Sequence, residues 1–368
     1  MPQPRIVVQG EGVESQVRED TDCWRNVSRQ ESWAPYRSGF CVGGVSVGIA
    51  GSREQDVLLG PQLKPFHLAA ASYDIGIRIE WISDLPQMPG RKLFDSGAAW
   101  RLYEGQEELQ FDFGYPLPGK APHKRLFVDS NFCRATLQMS EESFADIPIT
   151  PDPLEYPLDE LLIMHRLTQE KGIELHGCGI VREDGVGNLF VGHSGAGKST
   201  TTRLWTARED VEVLSDDRII VRRDGGGSEV KTPSGATGGA DEQQVPRLRD
   251  SSASRTNHFA QDDKTKKSCG MRMYGTPWHG EAMYASPGSA PLGRIFVLEH
   301  GRGNVVTRLS PSQAVGELFA RSFVPFHRHE YVESALEFLH ELVGAVPVYH
   351  YAFEPAEAAV ERILEFCD

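Results

Sequence analysis

Eight consecutive residues, Gly192-His193-Ser194-Gly195-Ala196-Gly197-Lys198-Ser199, match the pattern G-x-x-x-x-G-K-[ST] at every fixed position. The chemistry this spacing serves is phosphate binding. Gly192, Gly195 and Gly197 let the backbone turn and approach an anion without Cβ clashes, and the amides of the loop and of the helix start face that anion. Lys198 adds a mobile positive charge, and Ser199 adds a hydroxyl suited to Mg²⁺. With Thr200 behind it, the run from Gly192 to Thr200 is expected to bind the phosphates of a nucleotide, with ATP and Mg²⁺ as the expected cofactors.

Downstream lies Val211-Glu212-Val213-Leu214-Ser215-Asp216-Asp217-Arg218, an apolar strand ending in two acids. A carboxylate at the end of a strand beside such a loop is where a metal ion or its water would be held. Because successive strand residues point in opposite directions, one acid can serve the metal while the other accepts the proton of an attacking hydroxyl. His176, in Leu175-His176-Gly177, sits on the preceding apolar strand. By itself it reads as a satisfied core histidine.

The elements that must position these groups follow from periodicity. Short apolar runs at Ile173–Val181 and Asn188–Val191 predict strands, Lys198–Ala207 a helix, and Val211–Leu214 and Ile219–Arg222 further strands. Strand, glycine-rich loop, helix, strand is an α/β phosphate-binding unit. An apolar stripe over Pro157–Lys171, closed by Gly172, predicts a helix ahead of it. Three helices are expected near the C-terminus: one capped by Ser310-Pro311-Ser312-Gln313, then Glu330–Val343 and Pro355–Phe366.

Before this unit, residues 36–150 read as an antiparallel β-rich domain. Its runs are Cys41–Ile49, Tyr73–Ile82, Ala98–Tyr103, Leu109–Phe113, Leu126–Val128 and Cys133–Met139, separated by Gly, Pro, Asp and Ser clusters. Residues 1–35 show no sustained period and read as a flexible arm. Residues 224–270 are rich in Gly, Ser, Asp, Lys and Arg and cannot bury enough apolar surface to offset the entropy of ordering. They read as a mobile insertion in a catalytic domain spanning 151–368. A lid near the nucleotide and a tolerated surface insertion are the roles open to it.

Bulk composition narrows the functional classes. At 368 residues the chain can bury a substantial core. No stretch approaches the roughly 18 apolar residues of a membrane span, and the start Met1-Pro2-Gln3-Pro4-Arg5 lacks the pattern of a signal peptide. A cytoplasmic protein with no membrane partner is expected. The net charge of −14 repels nucleic acid and acidic membranes. Six cysteines, Cys23, Cys41, Cys133, Cys178, Cys269 and Cys367, form no close pair and read as free thiols.

Leu175-His176-Gly177, then Gly192 to Thr200, then Leu214-Ser215-Asp216-Asp217-Arg218 resembles the C-terminal catalytic domain of HPr kinase/phosphorylase. The pattern there is an I-H-G strand, a G-x-S-G-x-G-K-S loop and an A-D-D-R strand end. The resemblance is close over Ile173 to Val221. It implies an α/β P-loop kinase domain of the HPr kinase and phosphoenolpyruvate carboxykinase type, preceded here by the β-rich domain. Carried across by position, it implies Lys198 on the phosphates, Ser199 and Asp216 around Mg²⁺, Asp217 as the base that activates an acceptor hydroxyl, and His176 near the transferring group. Two features depart from that family. Its downstream E-[IV]-R-G segment is replaced by Met273-Tyr274-Gly275-Thr276-Pro277-Trp278-His279-Gly280-Glu281, and the β-rich region does not resemble its regulatory domain.

The leading expectation is therefore an ATP- and Mg-dependent kinase acting on a hydroxyl of a small molecule, peptide or protein. The alternative is a nucleotide-binding regulatory or assembly protein with little or no kinase activity. Carboxykinase chemistry is a third reading, disfavoured because no second metal cluster of Lys, His and Asp precedes the loop. The acceptor is unspecified, and a homo-oligomer is left open. Thr276 to Glu281 reads equally well as an acceptor-pocket wall and as a packed loop.

Overall fold

The computed structural model describes residues 35–86, 90–105, 108–114, 121–146, 150–224 and 270–367. The expected N-terminal arm, apart from residue 35, and the insertion between Asp224 and Gly270 lie outside the described residues. Two compact units divide at Arg166/Leu167. The division falls inside a helix, Leu158–Gln169, rather than ahead of it at residue 150.

The first unit is one eight-stranded sheet. Its strands are β1 (Tyr36–Val42), β2 (Val45–Gly51), β3 (Ile75–Ile82), β4 (Arg91–Asp95), β5 (Trp100–Glu104), β6 (Glu108–Phe113), β7 (Lys124–Asp129) and β8 (Arg134–Ser140). Their order is β1-β2-β3-β8-β7-β6-β5-β4. Two sequence expectations are corrected here. The run read as a single strand over Cys41–Ile49 is a hairpin, because Gly43 and Gly44 adopt φ 59° and 77° and turn the chain between Val42 and Val45. The sheet is also not wholly antiparallel, since β2 pairs with β3 and β3 with β8 in parallel. Val47, Ile77, Leu102, Phe111, Leu126 and Leu137 are among its buried side chains. Arg125 is buried opposite Asp112 and donates two hydrogen bonds to it, 2.7 and 2.9 Å long, which neutralises the charge inside the unit. A single turn, α1 (Glu141–Phe144), follows β8, and the dividing helix is α2.

The second unit contains β9 (Gly172–Val181), β10 (Gly187–Val191), α3 (Lys198–Thr206), β11 (Glu212–Ser215), β12 (Arg218–Arg223) and β13 (Met271–Tyr274). It continues through β14 (Ser289–His300), β15 (Val305–Arg308), α4 (Pro311–Phe319), β16 (Ser322–Phe323), α5 (His329–Ala345), β17 (Val348–Phe353) and α6 (Glu357–Cys367). Strands β10, β9, β12, β13 and β14 pair in sequence, and β10 also pairs with β14, so the five close into a barrel. β17 and then β15 extend the sheet from β14.

Alternation along the strands sorts the core into two clusters. Leu175, Leu189, Val191, Ile295 and Val297 pack with Leu318 of α4 and with Phe338, Leu339 and Leu342 of α5. Cys178, Phe190, Phe296 and Tyr351 pack with Trp205 of α3 and with Val360 and Ile363 of α6. Neighbouring residues such as Leu189 and Phe190 thus serve opposite faces, as a strand covered on both sides requires. The capping box expected at Ser310 is formed with Gln313. The hairpin β12–β13 pairs Arg223 with Met271, and the Asp224 N–H donates to the Gly270 carbonyl at 2.8 Å. Asp224 and Gly270 are therefore hydrogen-bonded neighbours at the end of the hairpin.

Candidate functional site

The glycine-rich loop joins β10 to α3 and is shaped by its own residues. Gly195 and Gly197 lie at φ 79° and 102°, a region that side chains disfavour. A Cβ at Gly197 would fall 2.4 Å from the Phe353 ring. Behind the loop, the His300 Nε2–H donates to the Gly195 carbonyl at 2.8 Å, and its ring stacks on Phe353. Lys198 is buried and folds over the loop, donating to the Gly192 and His193 carbonyls at 3.1 Å each. Burial lowers its proton affinity, and the Asp217 carboxylate partly restores it. His193, Ser194 and Gly195 are exposed, and Ser199 and Thr200 are half-buried in the first turn of α3. That helix has nine residues with its N-terminus at the loop, the arrangement that attracts an anion.

β9 changes neighbours in its middle, and the site forms at that change. Its first half pairs with β12 and β16, and its second half with β10 and β11. At the switch, the His176 N–H donates to the Arg321 carbonyl at 2.8 Å and the Gly177 N–H to the Asp217 carbonyl at 2.9 Å. The His176 carbonyl accepts from the Gly192 N–H at 3.2 Å. Two residues of one strand therefore hold the start of the glycine-rich loop, the acidic corner and the turn after α4. Gly177 is required there, since a Cβ would meet the Phe190 carbonyl oxygen at 2.8 Å.

The two acids diverge. Asp216 is 1 % exposed, and its carboxylate accepts three backbone N–H groups, from Gly280 at 3.0 Å, Ala282 at 2.8 Å and Tyr284 at 3.2 Å. The expectation that Asp216 ligates Mg²⁺ meets a carboxylate both of whose oxygens are committed to the loop after β13. Asp217 is the carboxylate left in the site, 26 % exposed, with Oδ1 3.0 Å from the His176 Nε2. That hydrogen bond holds the Asp217 carboxyl below its ordinary range, and the charges of His176, Arg218 and Lys198 act in the same direction. His176 is therefore a partly exposed partner of Asp217 rather than core filling.

Other groups complete the surroundings. Arg218 places Nε 3.7 Å from Asp217 and Nη1 3.6 Å from the buried Glu174, with its guanidinium 4.1 Å over the Phe323 ring. Burial pushes the Cys178 thiol, which lies beneath Lys198, up to about 12, so it stays protonated and serves packing. Thr276 and Trp278 are buried, and the Thr276 hydroxyl donates to the Arg218 carbonyl at 2.8 Å. These two side chains belong to a packed loop. The Gly280 backbone faces the acids, with a Cβ there 3.3 Å from that of Asp217. Arg321 and His300 carried no sequence signal, while Arg218 stood inside the quoted acidic motif.

Among the described residues no cluster of three or more His, Cys, Asp or Glu could hold a metal by itself. Mg²⁺ seldom needs one beside a nucleotide, because phosphate oxygens and water fill most of its octahedron. The Ser199 hydroxyl, in the first turn of α3, is of a type that suits such an ion. Among the described residues no helix is long and apolar enough to cross a membrane, and the four described cysteines, Cys41, Cys133, Cys178 and Cys367, are free. Neither known protein-family models nor curated proteins match this chain.

Proposed function

We propose that the protein is an ATP- and Mg-dependent kinase that transfers the γ-phosphoryl group to a hydroxyl, working in the cytoplasm. The observation that carries this reading is the His176–Asp217 pair, 3.0 Å apart and tied through the β9 backbone to the first residue of the phosphate loop. A protein that only binds nucleotide needs Lys198 and a metal ligand. A carboxylate oriented by a histidine at the edge of that site has further use only if something is to be transferred.

In this account the loop amides and Lys198 hold the phosphates, and Lys198 follows the negative charge that builds on the leaving oxygen. Mg²⁺, held by Ser199 together with the phosphates and water, would neutralise the terminal charges. The acceptor oxygen forms a bond to the γ-phosphorus as the bond from that phosphorus to the β,γ-bridging oxygen breaks, releasing ADP. Asp217, whose carboxyl the His176 hydrogen bond holds below its ordinary range, orients the acceptor hydroxyl and takes its proton. A carboxyl held so low is a weak proton store. That suits a loose transition state in which the proton moves late.

The reading is tested by incubating the protein with γ-labelled ATP, Mg²⁺ and cell extract, beside the Lys198→Ala variant. Label on an acceptor with the wild type alone supports it. Tight MgATP binding with no label leaving ATP, in any extract, would instead favour a nucleotide-dependent regulator.

A further inference from the structure

Arg321 belongs to no recognised motif, yet its backbone is bonded into the site. It follows α4, and its carbonyl accepts the His176 N–H at 2.8 Å. The next residues, Ser322 and Phe323, pair with Leu175 and Glu174 of β9. The turn after α4 is thereby fixed level with the His176–Asp217 pair.

The side chain is buried, the residue being 8 % exposed, and only part of it is satisfied. Nη1 donates to the Glu317 carbonyl at 2.7 Å and to the Glu317 carboxylate, whereas the buried Nε–H has no acceptor. A buried donor without a partner is uncommon and calls for an explanation. Its charge also acts on Lys198, disfavouring the protonated ammonium. The two positive charges thus bear on each other at the glycine-rich loop, and an anion there relieves their repulsion.

We propose that Arg321 is a second phosphate ligand, whose guanidinium contacts the terminal phosphoryl group of the nucleotide held by Gly192 to Ser199. This rests on reading that loop as a nucleotide site. The terminal group is singled out because Arg321 is anchored to His176, on the side where transfer takes place, while the loop amides serve the inner phosphates. The planar guanidinium fork matches two oxygens of a phosphoryl group. Glu317 holds the fork in place when no anion is bound.

The test compares affinities for Mg-ADP and for the Mg complex of the β,γ-imido analogue of ATP. Arg321→Gln is expected to weaken the ATP analogue by roughly 10- to 100-fold, the worth of a charge-assisted hydrogen bond, and to leave ADP within about threefold. Glu317→Gln keeps the arginine and removes the carboxylate charge that competes for its guanidinium, so it is expected to raise the ratio of the two affinities in favour of the ATP analogue. It decides the matter if Arg321→Gln fails to fold. Equal losses for both nucleotides or no loss in Arg321→Gln, or an unchanged ratio in Glu317→Gln, overturns the proposal. If Lys198→Ala still abolishes binding of both nucleotides, the loop reading survives that failure. Wild-type protein that binds neither nucleotide overturns both.

Discussion

Two stretches meet beside His176 and Gly177, and they are built by opposite means. Gly192 to Ser199 takes its shape from within: glycines at positive φ, and a lysine that begins α3 and folds over the Gly192 and His193 carbonyls. The loop after β13 takes its shape from Asp216, more than sixty residues earlier, whose carboxylate gathers the Gly280, Ala282 and Tyr284 amides. The first stretch is a portable motif, and the second is a tertiary contract between distant segments. In the proposed kinase the portable part serves the nucleotide, and the contracted part borders the acceptor side.

The largest effect expected from breaking this comparison is on the nucleotide side. Lys198→Ala should lower MgATP affinity by roughly two orders of magnitude while leaving the melting temperature nearly unchanged, because a charge partner is lost and little packing. Calorimetric titration checks it, and unchanged affinity would remove the loop from the site.

On the other side, Asp216→Ala leaves three amides without their acceptor and should cost about 3 kcal/mol of stability. MgATP affinity measured below the melting transition should stay within about threefold. A selective loss of Mg²⁺-dependent binding with stability intact would return Asp216 to the role of a metal ligand.

Gly197→Ala sharpens the contrast from within the motif. The added methyl group meets Phe353 at a φ of 102°, so a cost of about 2 kcal/mol is expected together with weaker nucleotide binding. Thermal unfolding read alongside affinity checks both, and either one moving alone contradicts the close fit of the loop against β17.

The smallest effect is on pH dependence. The Asp217 carboxyl titrates below the ordinary 3.8, so the unfolded chain binds more protons than the native state in that range. The stabilisation is complete above that ordinary value and is lost as pH falls through the lower folded value. Asp217→Asn should therefore show a shallower loss of stability on acidification, and an acid limb identical to the wild type would contradict the His176–Asp217 pairing.

The same contrast explains what was legible in the sequence. The glycine-rich turn between strand and helix, the helix Leu158–Gln169 and the capping box at Ser310 are local devices, and each appears where its pattern places it. The hairpin at Gly43-Gly44 was masked by apolar residues on both sides that read as one strand. Strand β14 was not singled out, because Pro291 and Gly293 interrupt its early period, although it closes the barrel. His176 looked like core filling because its partner lies 41 residues away. Adjacency made Asp216 and Asp217 look like a shared site, and only the amides of the loop after β13 separate them. Arg321 has no local signature, since its relation to β9 exists only in the pairing of β16.

The separation of the two acids is tested most directly by single-turnover transfer from γ-labelled ATP, with Asp217→Asn and Asp216→Asn run side by side once an acceptor is in hand. The account predicts that Asp217→Asn binds MgATP nearly normally and transfers roughly 10²–10⁴-fold more slowly, the usual worth of a positioned general base. Folded Asp216→Asn should stay within about tenfold of wild type, a smaller loss because it acts only through loop position. Transfer by Asp217→Asn at the wild-type rate, or an equal loss in both variants with the fold intact, contradicts the division of labour on which the account rests.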